Sequence, residues 1–184
     1  FPGMGYPLVP GYETVGRVVQ GADGFAEGET VFVPGARCFG PVRGLFGGAA
    51  SRLVVPASRA IRLDAGLGAD GVLISLAATA HHALMDRGRL ALPDLVIGHG
   101  VLGRLVVRIA RALGGDPVVH ELEAKRRADP GGATAVDPAE DDRRDYGCIL
   151  DASGAEGIVD AGVARLAKGG EIVLAGFYEA PVAF

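Results

Sequence analysis

The sequence predicts an α/β protein in which a parallel sheet with helices on its faces follows a smaller antiparallel β unit. Three observations predict it. Short valine-rich runs bounded by glycine or proline fill residues 1–70. From Leu95 onward, strand-like and helix-like periods alternate. Between them Val72 to Met85 is apolar or small nearly all round, and the texture changes there. Two incomplete domains are therefore expected, 1–71 and 72–184.

In the first part, Thr14 to Val19, Thr30 to Val33, Arg52 to Val55 and Ala60 to Leu63 read as strands of a small antiparallel barrel or meander. Val72 to Met85 reads as a buried helix. Leu95 to Ile97 is a strand. Leu102, Leu105, Val106, Ile109, Ala110 and Leu113 recur at three and four residues, with Arg104, Arg108 and Arg111 opposite, which is a one-sided helix stopped by Gly114-Gly115. Val118 to His120 and Cys148 to Leu150 are further strands. Ile158 to Leu166 is a second amphipathic helix, and Gly169-Gly170 leads into a strand over Ile172 to Ala175.

Composition narrows the function. Thirty of the 184 residues are glycine, but 49% are hydrophobic, enough to bury a core, so the glycines belong to turns and close approaches. A net charge of −4 gives no electrostatic footprint for nucleic acid. No apolar run reaches the roughly 18 residues of a spanning helix, and no integral membrane segment is expected. Cys38 and Cys148 build neither a disulfide framework nor a C-x-x-C site and fit a cytoplasmic setting. A start at Phe1 and an end at Phe184, directly after a strand-like run, suggest an internal piece of a longer protein, not expected to catalyse alone.

The sharpest chemistry is Gly98-His99-Gly100-Val101-Leu102-Gly103. By itself G-x-G-x-x-G is a weak signal in a glycine-rich chain. Here it follows a strand, opens a helix, and is answered by Glu121 at the end of the next strand. Gly98 suits the tight turn, Gly100 the approach of a pyrophosphate, and Gly103 the close packing of helix on sheet. The helix start offers unpaired N–H groups and a positive dipole end. Glu121 would accept hydrogen bonds from ribose hydroxyls and repel a 2′-phosphate, which selects NAD. Lys125, Arg126 and Arg127 leave NADP open, S-adenosylmethionine would suit a similar loop, and a turn without any dinucleotide is the bland reading.

The residues resemble the medium-chain dehydrogenase/reductase superfamily. Gly11 to Val18 is similar to its G-H-E-x-x-G-x-V signature, and Glu27 to Val31 to its G-D-x-V turn. Gly48 to Pro56, Thr79 to Leu84, Asp151 to Gly154 and Gly169 to Val173 resemble further segments of both family domains. The resemblance implies an incomplete Rossmann dinucleotide-binding domain preceded by part of a GroES-like β-barrel domain. It also implies cofactor contacts at Thr79, Gly98, His99, Gly100, Val101, Leu102, Gly103, Glu121, Ser153 and Gly176.

A narrower likeness runs through Phe1–Glu13, Arg43–Pro56, Gly98–Leu105, Glu140–Tyr146 and Leu174–Tyr178. These stretches resemble the branch that oxidises the 3-(1-hydroxyethyl) group of a bacteriochlorophyllide to 3-acetyl with NAD. The resemblance implies a tetrapyrrole substrate and leaves a homo-oligomer as a candidate assembly.

Zinc members of the superfamily hold their metal through Cys, His and Cys. Here the histidine position is Tyr12 and the second cysteine position is Ser75, so no metal is expected. A side chain must then take the hydroxyl proton. A phenol ordinarily titrates near about 10 and an imidazole near about 6.5. The candidates are Tyr12, His81 and His82, with Glu13 beside them, and each also has an ordinary structural reading. Phe1, Met4, Tyr6, Phe39, Leu45 and Phe46 could supply an apolar slot for a flat pigment. A zinc-free quinone or enone reductase and a non-catalytic dinucleotide-binding module remain as alternatives.

Overall fold

The computed structural model describes residues 5–85, 92–129 and 131–178. The chain divides into two compact units, Phe1–Ser75 and Leu76–Phe184. Phe1 and Met4, both expected to line the slot, lie outside the described residues.

In the first unit, β1 (Leu8–Val9), β2 (Thr14–Arg17), β3 (Thr30–Val33), β4 (Arg43–Gly44) and β5 (Ile61–Arg62) are short. β2, β3 and β5 form an antiparallel sheet with β3 at its centre. β3 is the strand whose valines and Phe32 are buried, which fits a central strand covered on both faces. β1 and β4 pair in parallel. The expected strand over Arg52 to Val55 is absent. Valine content suggests a strand but not a ladder partner: the Val54 N–H goes to Cys38 Sγ at 3.4 Å, and the side chain is exposed.

A 3-10 stretch over Ala65–Leu73 leads into α1 (Ile74–Met85). The expectation of a helix buried all round is corrected. Ala80 and Leu84, four residues apart, are buried, whereas Thr79, His81, His82 and Met85 are exposed. α1 packs one stripe onto Val106, Val107 and Ala110, and the opposite stripe has no cover among the described residues.

The second unit continues with β6 (Leu95–Ile97), α2 (Val101–Ala112), β7 (Val118–His120), α3 (Ala124–Arg127), β8 (Thr134–Val136), β9 (Tyr146–Asp151), α4 (Ile158–Val163) and β10 (Leu166–Leu174). Its sheet has five strands in the order β10-β9-β6-β7-β8, and every neighbouring pair is parallel. Chain order reverses at β6, whose neighbours are β7 on one side and β9 on the other. Ligands of open α/β sheets bind at the carboxyl ends of strands at such a switch point. The core holds Val96, Val119 and Leu150 from three adjacent strands and Val106, Val107 and Ala110 from α2.

Two boundaries differ from expectation for one reason. The second helix ends at Val163 instead of Leu166, and the last strand starts at Leu166 instead of Ile172. Tyr146 N donates to Arg165 O, and Leu166 pairs with Tyr146 before a register break, so the sheet captures the chain one turn early.

Candidate functional site

Three strand ends converge at the switch point: Gly98 after β6, Glu121 after β7 and Ser153 after β9. Gly98 has φ +91°, and a Cβ there would sit 2.9–3.0 Å from Ser153, so only glycine makes this turn. A Cβ on Gly103 would collide with the Gly98 carbonyl, and this contact sets how closely α2 approaches β6. Gly100 is the opposite case. Its backbone is extended, no side chain caps α2 there, and a Cβ would meet nothing within 4 Å. Open space in front of uncapped helix N–H groups is what a pyrophosphate needs, so the residues present fit a dinucleotide. Val101 is exposed, Leu102 packs against the core, and Gly103 faces the sheet.

Glu121 is buried, and both of its carboxylate oxygens are engaged. Oε2 accepts the His99 N–H at 2.8 Å and Oε1 the Glu123 N–H at 2.9 Å. Burial pushes its pKa up, but those N–H groups and the nearby Arg126 outweigh it and hold the group below the usual range. A carboxylate has about four acceptor positions, so Glu121 keeps capacity for ribose hydroxyls. His99 is buried, with its ring Nδ1 3.3 Å from Arg126 O. Two of the three neighbouring cations are committed: Arg126 Nε pairs with Glu123 at 2.9 Å, and Arg127 reaches the Glu121 and Leu122 carbonyls and Asp137.

Asp151 ends β9 fully buried and collects four donors: Ser153 N at 3.0 Å, Ser153 Oγ at 2.6 Å, Gly154 N at 3.1 Å and the Tyr178 hydroxyl at 2.5 Å. Gly176 packs on the Gly154 backbone and donates to the Tyr178 oxygen at 3.3 Å. Burial, and then the Asp151 carboxylate, push the Tyr178 hydroxyl far above its ordinary pKa. The D-x-S-G pattern signals the local turn, but nothing in the sequence announces Tyr178 as its partner.

A second polar cluster is also silent in the sequence. His120 Nε2 lies 2.5 Å from Asp141 Oδ2, which also accepts the Tyr146 hydroxyl at 2.7 Å and pairs with Arg165 at 3.3 Å. Burial lowers the His120 pKa despite Asp141. For Asp141, burial pushes upward, yet hydrogen bonds from Arg143 N, Tyr146 and His120 bring it down to about 2.

In the first unit, Tyr12 stands 43% exposed and meets Phe46 edge-on, with ring centroids 5.2 Å apart. Its hydroxyl has no hydrogen bond among the described residues. Glu13 Oε1 is a buried side-chain oxygen without a partner among the described residues. Thr79, His81 and His82 stand on the exposed side of α1. Among the described residues no three His, Cys, Asp or Glu side chains converge as a metal site. The side-chain oxygens of Tyr12 and Ser75 are not the thiolate and imidazole donors that zinc takes.

No protein-family model matches the chain. Over 192 residues it is 58% identical to the 2-desacetyl-2-hydroxyethyl bacteriochlorophyllide A dehydrogenase of Cereibacter sphaeroides. Over 188 residues it is 57% identical to the Rhodobacter capsulatus protein of the same name. Both matches take in the whole chain, which spans 60% of each relative's length. In fold it is similar to a Sinorhizobium meliloti 1021 protein assigned as a zinc-binding dehydrogenase and solved bound to NADP. That match has a TM-score of 0.81 at 22% identity and covers 98% of this chain and 65% of that one. The fold is thus a partial Rossmann domain preceded by part of a GroES-like domain, and the resemblance carried by the motifs holds along the whole chain.

Proposed function

We propose that this chain, a homologue of bacteriochlorophyllide dehydrogenases along its full length, is the core of an NAD-dependent alcohol dehydrogenase. Its reaction converts the 3-(1-hydroxyethyl) group of a bacteriochlorophyllide to 3-acetyl without zinc. The observation that carries this reading is the open Gly100 position before α2, set beside a buried, anionic Glu121.

Bound NAD supplies a nicotinamide carbon that accepts the hydride of the carbinol C–H. The chain's own groups do the rest. Gly98, His99, Gly100, Val101, Leu102 and Gly103 form the pyrophosphate cradle. Glu121 would receive the ribose hydroxyls and exclude a 2′-phosphate, and Thr79, Ser153 and Gly176 would border the cofactor. Oxidising the alcohol to a ketone also releases the hydroxyl proton, and a side chain must accept it. The candidates for that role are Glu13, whose Oε1 has no partner among the described residues, and the exposed Tyr12, His81 and His82, each taken within its own unit. Among the described residues no helix is long and apolar enough to cross a membrane.

The test is an absorbance assay of the full-length protein with a 3-(1-hydroxyethyl) bacteriochlorin and NAD, run beside a quinone with NADPH. Formation of the 3-acetyl pigment is the expected result. Turnover of only the quinone would move the protein to the zinc-free reductases, and NAD binding without turnover of either would make it a binding module.

A further inference from the structure

We infer that the loop from Arg37 to Gly44 in the first unit binds the carboxylate of the substrate. This rests on the proposed reading that the substrate is a bacteriochlorophyllide, a flat apolar macrocycle whose propionate is not esterified. The loop lines a half-open cavity of about 410 Å³, bordered by Arg37, Phe39, Gly40, Val42, Arg43 and Gly44.

The lining has one sign of charge. Two arginines contribute to it and no Asp or Glu does, although the chain as a whole carries −4. Arg37 is exposed and makes no hydrogen bond or ion pair among the described residues. The contrast within the same unit is Arg62, which Glu29 holds at 3.0 Å. A guanidinium left without a carboxylate at a cavity is suited to take one from a ligand, in bidentate geometry if the approach allows. Phe39 and Val42 add apolar wall beside it.

The loop is built before any ligand arrives. Ala36 N donates to Phe46 O at 2.6 Å and closes its base, while Val42 N donates to Phe39 O at 3.2 Å across its turn. β4 anchors the far side by pairing with β1. At the closing end, Phe46 has φ +67°, a left-handed conformation that bulky residues avoid. The fold holds it there with the ring 54% exposed and edge-on to Tyr12. Strain of this kind concentrates at functional positions. The same loop therefore offers the Arg37 guanidinium for a carboxylate and, at its base, an exposed aromatic pair for an apolar ring.

The experiment compares the free-acid pigment with its methyl ester, using full-length protein, NAD and the variants Arg37→Gln, Arg43→Gln and the pair. The expected wild-type result is a KM about tenfold lower for the acid than for the ester. The double variant raises the acid KM about tenfold, so that the preference disappears. Equal KM values for acid and ester in the wild type would overturn the inference, as would an undiminished preference in the double variant. Pigment absorbance titration separates the two readings. If neither pigment is oxidised but the acid still binds tighter than the ester, the carboxylate site stands and the proposed reaction falls. If both are oxidised without preference, the reaction stands and the carboxylate site falls.

Discussion

Glu121 Oε2 accepts the backbone N–H of His99 at 2.8 Å. The acid after β7 thereby holds the loop after β6, and its charge and its grip on the loop are separable. Glu121→Gln keeps an acceptor oxygen but removes the charge. The expected outcome is that NADP gains about tenfold on NAD in Kd, about 1.4 kcal/mol. Adding Glu123→Gln releases Arg126 and widens the gain. Calorimetric titration with both dinucleotides checks it, and an unchanged ratio would remove Glu121 from cofactor selection.

Gly100→Ala and Gly103→Ala should behave oppositely. At Gly100 a methyl meets no protein atom, so stability falls only by the N-cap preference for Gly over Ala, about 0.5–1 kcal/mol. NAD binding nevertheless weakens tenfold or more, because the methyl occupies the pyrophosphate's approach. At Gly103 the methyl collides with Gly98 O, so folding suffers first, by about 1–3 kcal/mol. Denaturant melts paired with NAD titration distinguish the two.

Asp151→Ala leaves three residues' donors without their buried acceptor. The expected loss is about 3 kcal/mol of unfolding free energy, with Tyr178→Phe costing about 1 kcal/mol. Urea unfolding of both variants measures the ratio; equal costs would mean that Tyr178, not the turn, is the main partner.

Acid should loosen the His120–Asp141 cluster. The folded Asp141 carboxyl lies at about 2, below the ordinary Asp value near 3.9. Its contribution is therefore present above about pH 4 and lost as pH falls toward 2, and amounts to about 2 kcal/mol. His120 is also lowered, so it resists charging in the folded state, and its contribution fades as pH falls below about 6.5. Unfolding free energy measured against pH should decline in that order, and Asp141→Asn should flatten the lower step.

For the proton acceptor, Glu13→Gln should lower kcat about a hundredfold with little change in NAD affinity. Tyr12→Phe, His81→Ala and His82→Ala identify any relay. Near-normal turnover in all four variants would place the base outside these residues.

Much of the second unit is legible in the sequence because its signals are local. The strands at Leu95, Val118 and Cys148 and the helix with its arginine face follow from period and composition, as does the glycine loop. What stays hidden depends on partners distant in sequence. Asp151 meets Tyr178 across 27 residues, and His120 meets Asp141 across 21; neither pairing leaves a periodic trace. Arg52 to Val55 misleads because valine content says nothing about where an N–H will go. α1 misleads because apolar composition on every side does not say which stripe finds cover.

The collision that forbids a side chain at Gly103 has a thermodynamic counterpart. With Gly103 against the Gly98 carbonyl, Gly98 against Ser153 and His99 fastened to Glu121, the loop's conformation is fixed by its surroundings. A dinucleotide docking there does not have to supply the entropy of ordering the loop. More of its intrinsic interaction energy would then remain as affinity, with the start of α2 left uncapped by any side chain.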